Sequence, residues 1–326
     1  MAEKNKKKMS KKAKVIVSLS SIFGAFLVLF VCAYFIIGNY FFKFALDATF
    51  SAVYNAPSDE FIAEMPMPKL MDEWFVSVEK NQKEIKSGGY SLKAYEIMAE
   101  TDTNKWVITI HGYRGQARDM SHYAYMFHEE GFNVLMPNLK GHGQSEGKYI
   151  GMGYTDSLDI LKWIDVIIDK DPNAQIVLHG VSMGGATVMF TTGHELPENV
   201  VCAIEDCGYS SVYKQFKFVA EEVMGLPAVN LLMSASNVFV KSRIGVKLQE
   251  MNTVKALKKS TTPTMFIHGT KDNFVPYEML DEVYNANSNI EKEKLVFEGA
   301  THAYSATLDE ERYFNSVFEF VNKYLN

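Results

Sequence analysis

A serine hydroxyl becomes a useful nucleophile only when a base takes its proton and a third group holds that base in place. Three residues of this 326-residue chain stand in settings that suit those roles. Ser182 lies within Gly180-Val181-Ser182-Met183-Gly184, after the apolar run 175–179 and before the helix-like 185–190. A strand, a G-x-S-x-G pentapeptide and a helix predict a nucleophile elbow, whose sharp turn strains the serine backbone and lifts its hydroxyl clear of a sheet. Gly180 and Gly184 are required because a Cβ at either position would collide with the neighbouring elements. A glycine-rich turn can carry the same pentapeptide, so the rest of the chain must decide.

Asp272 and His302 supply the missing chemistry. Asp272 follows the strand-like 264–267, and His302 follows the strand-like 294–297. Both fall on loops at the carboxyl ends of their strands, in the order Ser, Asp, His. Asp206, ending the strand after the elbow, is the rival acid. An oxyanion needs two backbone donors. The N–H of Met183 is one, reinforced by the helix N-terminus it opens. The other is expected from Tyr113 in His111-Gly112-Tyr113-Arg114-Gly115, where Gly112 lets the loop turn. Arg114 is expected to make a surface salt bridge or to bind a substrate carboxylate, and His111 to be a structural hydrogen-bonding residue.

The elements that must position these groups alternate in type. Two apolar-alternating segments flank Gly88-Gly89 as a hairpin, beginning a body that starts near Trp74. Strands are predicted at 105–110, 132–136, 176–179, 200–205, 264–267 and 294–297, with helices at 121–130, 156–169 and 309–325. Such alternation predicts an α/β fold with a mostly parallel sheet covered by helices on both faces, and a ligand site beyond the carboxyl strand ends. Residues 208–260 hold helical patterns and no buried strand, as expected of a cap lying across those ends.

With these motifs in place, the chain resembles the α/β-hydrolase superfamily over 76–326, in its serine aminopeptidase-like and lysophospholipase-like branch, which includes membrane-anchored bacterial hydrolases. The likeness rests on 111–115, Asn138-Leu139-Lys140-Gly141-His142-Gly143-Gln144-Ser145, 149–153, the elbow, and the Asp272 and His302 loops. In the second of these, Asn138 and Lys140 replace the acid and arginine of the family's D-x-R-G-H-G-x-S segment, which is structural there. The resemblance implies hydrolysis of an ester, thioester or amide without a metal or organic cofactor. A carboxylesterase acting on a small-molecule or lipid-derived ester is the first expectation. A serine aminopeptidase-like enzyme on peptide substrates is the second, and a non-catalytic surface binding protein on the same fold the third.

Charge and hydropathy place the chain. Lys4, Lys6, Lys7, Lys8, Lys11, Lys12 and Lys14 crowd a lysine-rich arm at 1–14, leaving the body more acidic than the net charge of −6 for the whole. That balance argues against nucleic acid, whose phosphates require basic partners. Residues 15–42 carry no charge and are long enough as a helix to cross a bilayer core of roughly 30 Å. Lysines before the span predict a cytoplasmic N-terminus and an extracytoplasmic catalytic domain at the cell membrane. The run exceeds the apolar core of a signal peptide and no cleavage site follows, so an uncleaved transmembrane anchor is expected. Tyr40, Phe41, Phe42 and Phe44 are expected at the outer interface, and 43–75 as a partly helical connector. Cys202 and Cys207 are too far apart along a strand to pair.

Overall fold

The computed structural model describes residues 9–50 and 71–325. Most of the lysine arm and the connector's middle, 51–70, lie outside them. Helix α1 (Lys11–Leu46) is followed by eight strands: β1 (Asn81–Ser87), β2 (Tyr90–Ile97), β3 (Lys105–Ile110), β4 (Asn133–Pro137), β5 (Gln175–Val181), β6 (Val200–Asp206), β7 (Thr264–Gly269) and β8 (Lys292–Phe297). They form one sheet in the order β1-β2-β4-β3-β5-β6-β7-β8. The hairpin β1–β2 and the β2–β4 pair are antiparallel, and every other pairing is parallel. This is the mostly parallel sheet of an α/β-hydrolase fold.

Burial explains why the strands read as apolar runs. All of β4, β5 and β7 is buried, as befits strands covered on both faces. On one face pack α2 (Ser121–Glu129), through Phe127, and the C-terminal helix, through Phe314, Val317 and Phe320. On the other lie α3 (Asp156–Lys170) and α4 (Met183–Thr192). In α3, Ile160, Trp163, Ile164 and Ile167 recur on one face and enter the core. Every residue of α4 is buried. The C-terminal helix stops at Val321, short of the expected 325.

The cap comprises α5 (Val212–Phe218), a π-helical turn at Val219–Val223 and α6 (Val229–Ile244). The short helix Thr253–Leu257 lies elsewhere: Ala256 abuts Gly193, just past α4.

Helix α1 departs most from expectation. It runs unbroken past residue 42, and Phe42 and Leu46 are buried in the main core rather than at a lipid interface. Gly38 packs so closely on Ala235 of α6 that a Cβ would sit 2.6 Å from its backbone. Arg243 lies over the Phe42 ring and donates to Asn39 Oδ1 at 2.8 Å. Beyond the helix, Asp47 bridges Tyr149, and the Ala48 N–H donates to the Lys148 carbonyl. Residues 43–48 thus belong to the body.

Candidate active site

Strand register brings the site together. Ile110 pairs with Gly180, Val181 with Asp206, Asp206 with Ile267, and Gly269 with Phe297. The loops leaving β3, β5, β6, β7 and β8 therefore emerge along one edge, as the parallel arrangement requires.

Ser182 stands at that edge with φ 59° and ψ −118°, a conformation few residues tolerate. Its N–H donates to the Asp206 carbonyl at 2.7 Å, and its own carbonyl accepts from Ala186, pinning the turn at both ends. A Cβ on Gly180 would overlap the Gly184 carbonyl, and one on Gly184 would overlap that of Ile110. Arg114, Met152, Cys207 and Ala303 also have positive φ. Arg114 and Ala303 adjoin site residues, Met152 lines the cavity, and Cys207 lies close to Asp272 and His302.

Ser182, His302 and Asp272 form one hydrogen-bonded chain. His302 Nε2 lies 2.8 Å from Ser182 Oγ, and His302 Nδ1 lies 2.7 Å from Asp272 Oδ2. The carboxylate only accepts, so Nδ1 carries the proton and Nε2 is left to accept from the serine. Asp272 Oδ1 accepts the Phe274 and Val275 N–H groups at 2.9 and 2.8 Å. Burial alone would raise the Asp272 pKa, but His302 and His268 outweigh it and hold the carboxyl below the usual range. His268 Nε2 is 3.2 Å from Asp272 Oδ2, a partner that the sequence reading missed. Only its position, four residues before the aspartate at the end of β7, could have marked it.

Asp206 is used differently. Its Oδ2 accepts from Tyr313 OH at 3.0 Å, and Tyr313 OH is 3.1 Å from His179 Nε2. Burial pushes its pKa up to about 6. Neither ring nitrogen of His302 bonds to it. Cys207 lies near Asp272 and His302, and burial and the neighbouring carboxylates push its thiol well up. Cys202 and Cys207 are both free and buried.

The loop after β3 is held from two sides. His111 Nδ1 donates to the Gly112 carbonyl at 2.8 Å, while His111 Nε2 accepts the Leu139 N–H. His142 Nε2 accepts the Arg114 N–H at 3.1 Å. Burial lowers the two imidazoles to about 3 and about 4, so both stay neutral acceptors. Asn138 Oδ1 takes the Ala117 N–H and Ser145 Oγ donates to the Asn138 carbonyl, which gives the 138–145 segment its bracing role. From the other side, Tyr113 OH and the Arg114 guanidinium donate to the Ala45 and Phe44 carbonyls. These are carbonyls that the end of a helix leaves unpaired. Among the described residues, Arg114 makes no salt bridge and spends these bonds on Tyr113 OH and the Phe44 carbonyl. Among the described residues, no backbone carbonyl takes the Tyr113 or Met183 N–H.

Ser182 opens into a cavity of about 530 Å³. Phe41, Phe44 and Leu46 of α1 line it, together with Val219, Met224 and Met233. No Asp, Glu, Lys or Arg lines it among the described residues. Gln215 donates to the Phe274 carbonyl at 2.7 Å, while its Oε1 is a buried acceptor without a partner.

Known proteins agree with this architecture. Residues 101–250 match the family described as serine aminopeptidase, S33. Fold and match together give the chain an α/β-hydrolase fold. It is 28% identical over 252 residues to the Bacillus subtilis protein titled Uncharacterized protein YqkD, covering 77% of this chain and 82% of that one. It is 26% identical to human monoglyceride lipase over 57% of this chain and 70% of the lipase. Among solved structures, the Pyrococcus furiosus esterase Pf2001 superposes with a TM-score of 0.63 at 22% identity, over 80% of this chain and 99% of the esterase.

Proposed function

We propose that the protein is a serine hydrolase that cleaves carboxylic esters through Ser182, His302 and Asp272. The observation carrying this reading is the Ser182–His302–Asp272 chain, with contacts of 2.8 and 2.7 Å. His302 Nε2 takes the hydroxyl proton as Ser182 Oγ attacks the acyl carbon. The Met183 and Tyr113 N–H groups receive the oxyanion, and His302 then protonates the leaving alcohol. Asp272, kept ionised, orients the imidazole and stabilises its cationic form. Water activated by the same histidine releases the acid and restores the serine.

The apolar cavity favours an ester over a peptide amine. An aminopeptidase must compensate a buried ammonium, and the cavity wall offers no carboxylate among the described residues. The intact hydrogen-bonded chain weighs against a purely binding role. The test is labelling by a fluorophosphonate probe. Ser182→Ala is expected to abolish it, and labelling that persists would reject the assignment.

We also read α1 as an uncleaved anchor with the lysine arm in the cytoplasm and the catalytic body outside. Among the described residues, α1 alone is long and apolar enough to cross a membrane. Its last turns support retention, because cleavage would strip Phe41, Phe44 and Leu46 from the cavity. Protease accessibility of the body in intact cells tests the orientation.

A further inference from the structure

A second cavity, of about 310 Å³, lies between α1 and the cap. Phe30, Ala33 and Ile37 bound it on the α1 side, and Leu226, Leu231 and Ala235 on the other. Phe41 lines both this cavity and the one holding Ser182. A single aromatic side chain is thus shared by the two spaces.

The level of this cavity along α1 is informative. A bilayer core takes about 20 helical residues. Counted from Lys14, the last charge before the apolar run, that length ends near Tyr34. A contact with α6 lies at the same level, where Tyr34 OH is 2.9 Å from Ser234 Oγ. The second cavity, reaching from Phe30 to Phe41, therefore straddles the level at which α1 leaves the hydrocarbon. At this cavity the cap exposes Leu231 (47%), and elsewhere Met224 (40%) and Val238 (44%), side chains better suited to a lipid surface than to water.

We infer that this cavity is a lateral portal for the acyl chain of an ester lipid resident in the bilayer. The chain enters between α1 and the cap, passes the displaced Phe41 ring and brings its carbonyl to Ser182. A chain taking this route never crosses water, which would cost free energy for every methylene exposed. The bond broken is the acyl C–O bond; water gives its hydroxyl to the acid and its hydrogen to the alcohol. The inference deepens the ester-hydrolase reading and rests on it.

The test uses the full chain in phosphatidylcholine vesicles carrying a dodecanoyl ester, with a dissolved butyryl ester as reference. Ala33→Trp and Leu231→Trp fill the portal from opposite sides. Each is expected to lower the ratio of dodecanoyl to butyryl turnover about tenfold or more, a range that pocket contacts reach. Retained fluorophosphonate labelling identifies folded enzyme. An unchanged ratio in a labelled variant overturns the portal, as does an equal loss on both substrates. Phe41→Ala, which opens the partition, is expected to raise the ratio; no rise overturns it too, even if neither tryptophan variant folds. Butyryl hydrolysis by Ser182→Ala would instead sink the assignment of Ser182, and an unsubstituted chain that hydrolyses neither ester would sink the ester-hydrolase reading itself.

Discussion

The Tyr113 hydroxyl donates to the Ala45 carbonyl at 2.6 Å, tying the loop after β3 to the last turn of α1. One residue thus offers its side chain to the apolar helix and its backbone N–H to the proposed oxyanion site. Helix and site are joined by a bond that a single atom can remove.

Tyr113→Phe keeps the ring and the N–H but leaves the Ala45 carbonyl without this donor. A loss of about 1 kcal/mol in stability is expected, the usual worth of such a bond. Turnover should fall several-fold while KM for a short ester changes little, since the loop loses one of its two bonds to α1 and not its cavity. Thermal unfolding and steady-state kinetics on the same preparation check both.

The two buried aspartates near the site should separate cleanly. Asp272→Asn is expected to cut kcat by about 10⁴, because an amide favours the wrong imidazole tautomer. Asp206→Asn can still accept from Tyr313 and should cost less than about tenfold. Comparable losses would reopen the choice of acid.

Gly38→Val tests the packing of α1 on the cap. Its side chain would enter the space held by Ala235. Overpacking of this kind typically costs about 1–3 kcal/mol. Faster proteolysis of the cap, together with a lower Tm, is the expected result; an unaltered Tm would mean that the contact is slack.

Acid should loosen the loop after β3. His142 stays neutral to about 4, whereas an unfolded histidine takes a proton near 6.5. Between those values the unfolded state binds more protons, so this contribution is whole above pH 6.5 and is lost as pH falls towards 4. His111, held at about 3, adds to the same slope. Asp206, raised to about 6, and Asp156, raised to about 7, act in the opposite sense and protonate first in the fold. In His142→Gln the fall of Tm from pH 6.5 to 4 should flatten relative to the unsubstituted protein. An unchanged slope would exclude His142 as its source.

The residues proposed to react were legible because each sits where sequence pattern and strand order agree. Ser182 lies between an apolar run and a helix, and Asp272 and His302 follow later strands in order. His268 was hidden because nothing local distinguishes it from a histidine that merely ends a strand. The inner face of α1 was hidden for another reason. In 15–42 the exposed and the protein-facing residues are alike apolar, so no periodicity separates Phe42, which is core, from Phe26, which is exposed. The partners of Arg114 were hidden because one is a backbone carbonyl, and a backbone oxygen leaves no trace in composition.

The close seat of Gly38 on Ala235 fixes how far α1 is turned about its own axis. Each residue of an α-helix advances the chain by about 100° of rotation. One residue inserted between Tyr34 and Gly38 would swing Phe42 and Leu46 away from the core while leaving the apolar length almost unchanged. The first half of α1 can drift in sequence so long as it stays apolar. The second half is keyed like the bit of a lock, and hydropathy alone cannot tell the two apart.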